Sequence, residues 1–207
     1  MRVIAGTHRH RRLLGPPDAE TTRPITDRVK QALFSRLYSL GVLGETTEEP
    51  FGPVLDLFAG TGSIGIEALS RGASHCTFVE ADRRIQAILK QNLQTLGLTD
   101  RATVIHGSAL LPLWLDQLPP EPLAIAFLDP PYKMLHDPPT VDRIHQLLDH
   151  IAPKLEPGAI INLRTPSDAP TPAERPNLDG PVPHKYGGMT LNFYQAPLEE
   201  DDETGLE

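Results

Sequence analysis

Val54-Leu55-Asp56-Leu57-Phe58-Ala59-Gly60-Thr61-Gly62-Ser63-Ile64-Gly65 runs an apolar stretch carrying one acid into a glycine-rich turn. Its first five residues suit a buried strand, and the span 63–71 suits a helix that Gly72 ends. Residues 60–65 match G-x-G-x-x-G in the setting that gives the motif meaning, after a strand and before a helix. Glycines there let the backbone approach a ligand, and the helix start offers free N–H groups. Glu80 lies twenty residues past Gly60, at the end of the next apolar run, 76–79. A carboxylate at that strand end can accept two ribose hydroxyls, so the whole stretch suits a nucleoside-binding turn.

On either side the pattern keeps alternating. Asp82 can cap a helix that turns Ile85, Ile88, Leu89, Leu93 and Leu96 inward and stops at Gly97. A strand over 102–106, a short helix over 109–118, a strand over 123–128, a helix over about 140–151 and a strand over 159–163 follow. Strands recurring between helices imply right-handed crossovers and a parallel sheet covered on both faces, an α/β fold of the Rossmann-like kind. Six prolines between Pro166 and Pro183 suggest an extended loop, and 189–195 alternates well enough for an edge strand. Upstream, 2–5 and 11–14 suit two short strands of a β-hairpin with Thr7-His8-Arg9-His10 at its tip. Thr26 can then cap a helix with Val29, Leu33, Leu37 and Leu40 on one face, closed by Gly41 and Gly44. The expected organisation is a basic extension at 1–44, a main domain at 45–195 and an acidic, disordered tail at 196–207.

Net charge is −8 over 207 residues, which taken alone disfavours a polyanionic partner. Its distribution reverses that inference. Residues 1–30 hold seven Arg or Lys against three acids, a local balance of +4, while 196–207 hold six acids and no base. The basic opening is therefore the candidate surface for nucleic acid. No apolar stretch approaches the roughly 20 residues that cross a bilayer, and the opening segment lacks the apolar core of a secretion signal, so a cytoplasmic protein with no membrane contact is expected. Cys76 sits in an apolar run and is expected in the core. The eight histidines show no H-E-x-x-H spacing and the single cysteine offers no cluster, so no metal site is expected.

Asp129-Pro130-Pro131-Tyr132 ends the apolar run 123–128. A carboxylate and the Pro130 carbonyl can accept hydrogen bonds from one planar exocyclic amine, while Tyr132 can stack on the ring bearing it. The glycine turn has two readings, a dinucleotide site for hydride transfer or an S-adenosylmethionine site for methyl transfer. Asp56 favours the second. A carboxylate just before the turn would repel a pyrophosphate and suits the cationic amino group of a methionine moiety. His106-Gly107-Ser108-Ala109 ends the third strand, where a small polar side chain and backbone N–H groups could contact adenine; Ser108 is the candidate and could also cap the following helix. Other planar amines, such as adenine N6 or a glutamine amide, fit Asp129-to-Tyr132 equally well, and a catalytically silent RNA-binding partner is the non-enzymatic alternative.

Residues 55–62, Glu80 and Asp129-Pro130-Pro131-Tyr132 together resemble class I methyltransferases that act on amines. Arg2-Val3-Ile4-Ala5-Gly6, Arg11-Arg12-Leu13 and Thr22-Arg23-Pro24-Ile25-Thr26-Asp27-Arg28-Val29, with Leu33-Phe34, resemble the opening of the RsmD family, which methylates N2 of a guanine in bacterial small-subunit ribosomal RNA. The resemblance implies a mostly parallel seven-stranded sheet. It implies S-adenosylmethionine held by Asp56, Gly60 and Gly62 at the methionine end, Glu80 at the ribose, and Ser108 with Ala109 at the adenine. Asp129 and Pro130 would hold the target amine with Tyr132 stacked on the guanine, while Arg9, Arg11, Arg12, Arg23 and Arg28 would contact RNA. The implied partner is 16S rRNA within a small-subunit particle, with the protein a monomer. Ser108 stands where the family often has Asp or Asn, and Gln31 where it often has Glu.

Overall fold

The computed structural model describes residues 1–17, 25–44 and 50–198. Arg23 and the acids from Glu199 onward, expected to form a disordered tail, lie outside the described residues. The elements run α1 (Asp27–Ser39), β1 (Val54–Leu57), α2 (Ser63–Ser70), β2 (Cys76–Glu80), α3 (Arg83–Leu96), β3 (Ala102–His106), β4 (Leu123–Leu128), α4 (Pro138–Ile151), β5 (Leu155–Pro166), β6 (Asp179–Tyr186) and β7 (Met189–Gln195). The seven strands form one sheet in the order β3-β2-β1-β4-β5-β7-β6. β1 to β5 pair in parallel, and β7 runs antiparallel between β5 and β6. This is the Rossmann-like α/β fold expected from the alternating pattern.

The order reverses at β1, which lies between β2 and β4, so crossovers leave β1 in opposite directions and open a crevice beyond its carboxyl end. β1 and β4 are buried along their whole length, as central parallel strands covered on both faces must be. Alternate residues feed two cores. Val54, Phe78, Ile125 and Phe127 pack with α1, α2 and α3 on one face. On the other, Leu55, Leu57, Val79, Ala126 and Leu128 pack with α4 and Trp114. Cys76 is buried in the first of these cores.

Local signals explain most boundaries. The Thr26 side chain caps α1 through Val29 N–H, and Asp82 caps α3 through the N–H groups of Arg84 and Ile85. Four expectations need correction. The hairpin at 2–5 and 11–14 forms no continuous strands: the Arg2–Arg12 bridge and the backbone bonds Val3 N–H to Arg11 O, His10 N–H to Val3 O and Leu13 N–H to Met1 O join its arms, while Ile4, Ala5 and Leu14 turn their N–H groups to α2 and α3. The helix over 109–118 is only a 3-10 turn, Pro112–Gln117, since Pro112 carries no N–H to continue an α-helix back through 109–111. The proline-rich stretch after Pro166 contains β6, with Pro181 and Pro183 tolerated on the sheet's edge where a missing donor costs little. β7, expected at the edge, is consequently an interior strand.

The N-terminal segment is fastened to α2. Glu67, fully buried, accepts from Ile4 N–H and Ala5 N–H at 2.8 and 3.0 Å and also pairs with Lys30 and Arg71. Gly6 sits so close to this helix that a Cβ there would lie 1.8 Å from the Ser70 carbonyl oxygen, so only glycine fits.

Candidate active site

Parallel register brings the carboxyl ends of β1, β2, β3 and β4 to one rim. Leu57 is aligned with Val79 on one side and with Leu128 on the other, so the loops after these strands share the crevice. They enclose a cavity of about 590 Å³. Asp56, Gly60, Glu80, Ser108, Ala109, Asp129, Pro130 and Tyr132 all line it, which brings together eight of the nine residues expected at a cofactor and amine site. Gly62 stands behind the wall. It turns the chain into α2 with φ of 86°, and a Cβ there would collide with Leu89 at 2.3 Å. The N-terminal segment also reaches the cavity, through Met1, Pro16, Pro17 and Ile25.

Two carboxylates hold the glycine turn in shape. Glu80 accepts from Gly60 N–H and Asp82 N–H, each at 2.8 Å, so it ties the turn to the end of β2. Asp56 accepts from Gly65 N–H at 2.9 Å, inside the first turn of α2. An ionised carboxylate offers about four acceptor positions, so both acids keep capacity for a ligand. Phe58, between them in sequence, adopts φ of 59°, a left-handed conformation unusual for an aromatic residue and placed on the cavity wall.

Asp56 is 1% exposed and pairs with no cation among the described residues. Burial pushes its carboxyl well up from the usual range, the Gly65 amide counters this, and the charges of Asp129 and Glu80 push it further. A cavity wall with four acids, Asp56, Glu80, Asp82 and Asp129, one of them the desolvated Asp56, suits a cationic ligand group. The ammonium of a methionine moiety meets that requirement, and a pyrophosphate does not.

Asp129 continues β4 by one residue, with its N–H donated to Leu57 O at 3.3 Å. Burial raises its carboxyl above the usual range, and Arg164 partly reverses the shift. Arg164 donates Nε and Nη2 to the two Asp129 oxygens at 2.5 and 2.7 Å. The sequence reading missed it, because the fifth strand was expected to end at 163. The available signal was an arginine one residue past that run, at the carboxyl end of a central strand. Tyr132 opens a 3-10 turn, Tyr132–His136, on the rim, and its ring faces the Arg164 guanidinium with 5.6 Å between carbon and centroid.

Ser108 lines the cavity, but no α-helix follows for it to cap. Arg9, Arg11, Arg12 and Arg28 are exposed and lie outside the cavity lining. Arg11 reaches Thr95 O near the end of α3 at 3.4 Å.

A family model described as Conserved hypothetical protein 95 matches residues 1–195. The Ribosomal RNA small subunit methyltransferase D of Haemophilus influenzae is 39% identical over 171 residues, 82% of this chain and 81% of that one. Among solved structures, a hypothetical protein of Thermus thermophilus superposes with TM-score 0.69 at 28% identity, covering 93% of this chain and 98% of that one. An RNA methyltransferase of Salinibacter ruber in complex with S-adenosyl-L-homocysteine gives TM-score 0.55 at 17% identity, over 88% of this chain and 99% of that one, a likeness of fold alone. With its opening segment, glycine turn and strand-end acids all inside the matched span, the chain belongs to the Conserved hypothetical protein 95 family, the RsmD family.

Proposed function

We propose that the protein transfers a methyl group from S-adenosylmethionine to the exocyclic N2 amine of a guanine in small-subunit ribosomal RNA. One observation carries this reading: a cation-seeking wall of Asp56 and Glu80 and an amine-accepting group at Asp129 to Tyr132 share a single cavity. Family membership and the activity for which the Haemophilus influenzae relative is named support the choice of ribosomal RNA. Asp56 and the Gly60 turn would hold the methionine end of the cofactor, with Gly62 shaping that turn, Glu80 holding the ribose, and Ser108 and Ala109 the adenine. When bound, S-adenosylmethionine supplies a methyl on a sulfonium: the amine lone pair forms the C–N bond while the C–S pair stays on the departing thioether.

The chain's task is to prepare the amine. Its lone pair is delocalised into the base, and acceptors at Asp129 and the Pro130 carbonyl orient the N–H groups so that the pair can point at the electrophile. Tyr132 offers a stacking surface for a base drawn out of structured RNA, offsetting about 1–3 kcal/mol of the unstacking cost. Arg9, Arg11, Arg12 and Arg28 supply exposed charge for RNA phosphates, and Arg23 adds to the same basic segment. Residues 1–44 act as an RNA-binding extension of the catalytic domain. We read the protein as a cytoplasmic monomer acting on RNA within a small-subunit particle.

Incubation with labelled S-adenosylmethionine and small-subunit RNA, followed by mass mapping, is the direct test. Label is expected on guanine N2, and Asp129→Ala is expected to abolish transfer, a loss of about 100-fold or more, with cofactor affinity largely retained. Label on adenine N6 would move the substrate to another planar amine. No transfer, with RNA still bound, would leave a silent RNA-binding partner.

A further inference from the structure

Among the described residues lining the cavity, Arg164 is the one buried cation, with its side chain 7% exposed against 17% for Asp129. Sheet register explains the pairing: Leu128 of β4 aligns with Leu163 of β5, so Asp129 and Arg164 leave adjacent strands side by side. Two parallel N–H bonds run from the guanidinium to both carboxylate oxygens. The same guanidinium faces the Tyr132 ring and donates Nη1 to Met189 Sδ at 3.8 Å. A planar fork of this kind fixes the carboxylate's rotation as well as its charge, which a lysine ammonium cannot do. Of the roughly four acceptor positions on an ionised carboxylate, the fork takes two and leaves two.

We propose that Arg164 is a positioning residue for methyl transfer: its fork holds Asp129 as a rotationally fixed, anionic acceptor for the target amine. The inference rests on the assignment of Asp129 to the amine. The fork opposes the preference of the buried site for a neutral carboxyl, so both free acceptor positions stay available to the amine. The other charges around Asp129 cannot replace the arginine. Asp56 on β1 and Glu80 on β2 are acids, and Asp82 and Arg84 at the start of α3 pair with each other at 3.5 Å. Lys133, beyond Tyr132, is exposed on the rim. Removing Arg164 therefore leaves burial unopposed at Asp129, and its carboxyl gains a proton at higher pH, turning one acceptor oxygen into a donor.

The test compares wild type, Arg164→Met and Arg164→Lys in single-turnover transfer across the acid and neutral range, with cofactor affinity measured alongside. Arg164→Met is expected to lower the rate and move the acid limb of the profile upward by about one pH unit or more, with cofactor affinity unchanged. Arg164→Lys should move it less, since charge is kept and the fork lost. Adding Asp129→Asn to Arg164→Met should abolish the acid limb, because an amide gains no proton in that range. An acid limb unmoved in Arg164→Met, or a uniform loss at every pH that the double variant leaves unchanged, would overturn the proposal. Carbon NMR titration of the Asp129 carboxyl reads the fork without any turnover: a higher midpoint in Arg164→Met, or in Arg164→Lys should the methionine variant not fold, supports it, and an unchanged midpoint sinks it. Wild-type protein that transfers no methyl to RNA defeats the functional assignment, and the carboxyl titration still decides the fork.

Discussion

Asp56 combines a buried carboxyl with a place on the wall of the candidate site. Its carboxyl is raised well above the usual range by burial first, so folding favours its neutral form. For an acid with a raised folded value, the favourable contribution is complete below the unfolded value of about 3.9 and is lost as pH rises through the folded one. Asp56→Asn removes that dependence and keeps an oxygen for Gly65 N–H. We expect the ligand-free variant to melt at or above the wild-type temperature at neutral pH, and to show no such gain well below a pH of about 3.9. Its affinity for S-adenosylmethionine should fall by about 10- to 100-fold, the worth of a charge-assisted hydrogen bond. Thermal melts at two pH values with calorimetry check this; a destabilised variant with wild-type affinity would make Asp56 a structural acid. Residue type and position were enough to raise this candidate from sequence. Arg164 was not legible, because its partner Asp129 lies 35 residues away and only the β4–β5 register joins them.

Between elements, Glu67 is the joint that fixes the N-terminal segment and α1 to α2. It is fully buried and holds Ile4, Ala5, Lys30 and Arg71, while Lys30, buried beside it, also donates to Arg2 O at 2.7 Å. Burial lowers the Lys30 ammonium from its ordinary value and Glu67 opposes that shift, so the lysine depends on this carboxylate to stay charged. Glu67→Ala leaves a buried cation unpaired and should cost about 3–5 kcal/mol in denaturant unfolding. Faster amide exchange should appear at Ile4 and Ala5 in the same variant; a loss under about 1 kcal/mol would mean that packing alone secures the segment. The contrast with β3, β4 and β7, whose limits follow from their apolar runs, is physical. Those strands are specified by their own residues. β6 reads as a loop because its prolines are acceptable only on an edge that the neighbouring strands define, and the opening segment pairs with itself as a hairpin only in part because Glu67, Ser70 and Asn92 take some of its N–H groups.

At the scale of the whole molecule, an acidic protein must bring a polyanion to an acid-lined cavity. The −8 total would repel RNA if it were evenly spread, and the segregation of charge along the chain prevents this. Arg9, Arg11 and Arg12 are exposed on a segment whose other residues, Met1, Pro16 and Pro17, reach the cavity wall, so the basic surface and the candidate site adjoin through one stretch of chain. The field is felt locally: after burial, the charges of Arg11 and Arg101 lower His8 from its ordinary value, which extends the positive region from the opening segment to the turn before β3. His8 therefore stays neutral at physiological pH and adds little to binding. If the three arginines contact phosphates, each releases counterions on binding, and log K falls with log salt by about 0.7–0.9 per contact. Replacing all three by alanine should weaken RNA binding at low salt and flatten that slope by about 2–3, with S-adenosylmethionine affinity unchanged. Fluorescence titration at several salt concentrations measures both quantities. A triple variant with the wild-type slope would place the RNA on the α1 face at the exposed Arg28 or on the cavity rim at Arg84 and Lys133, exposed cations that line it.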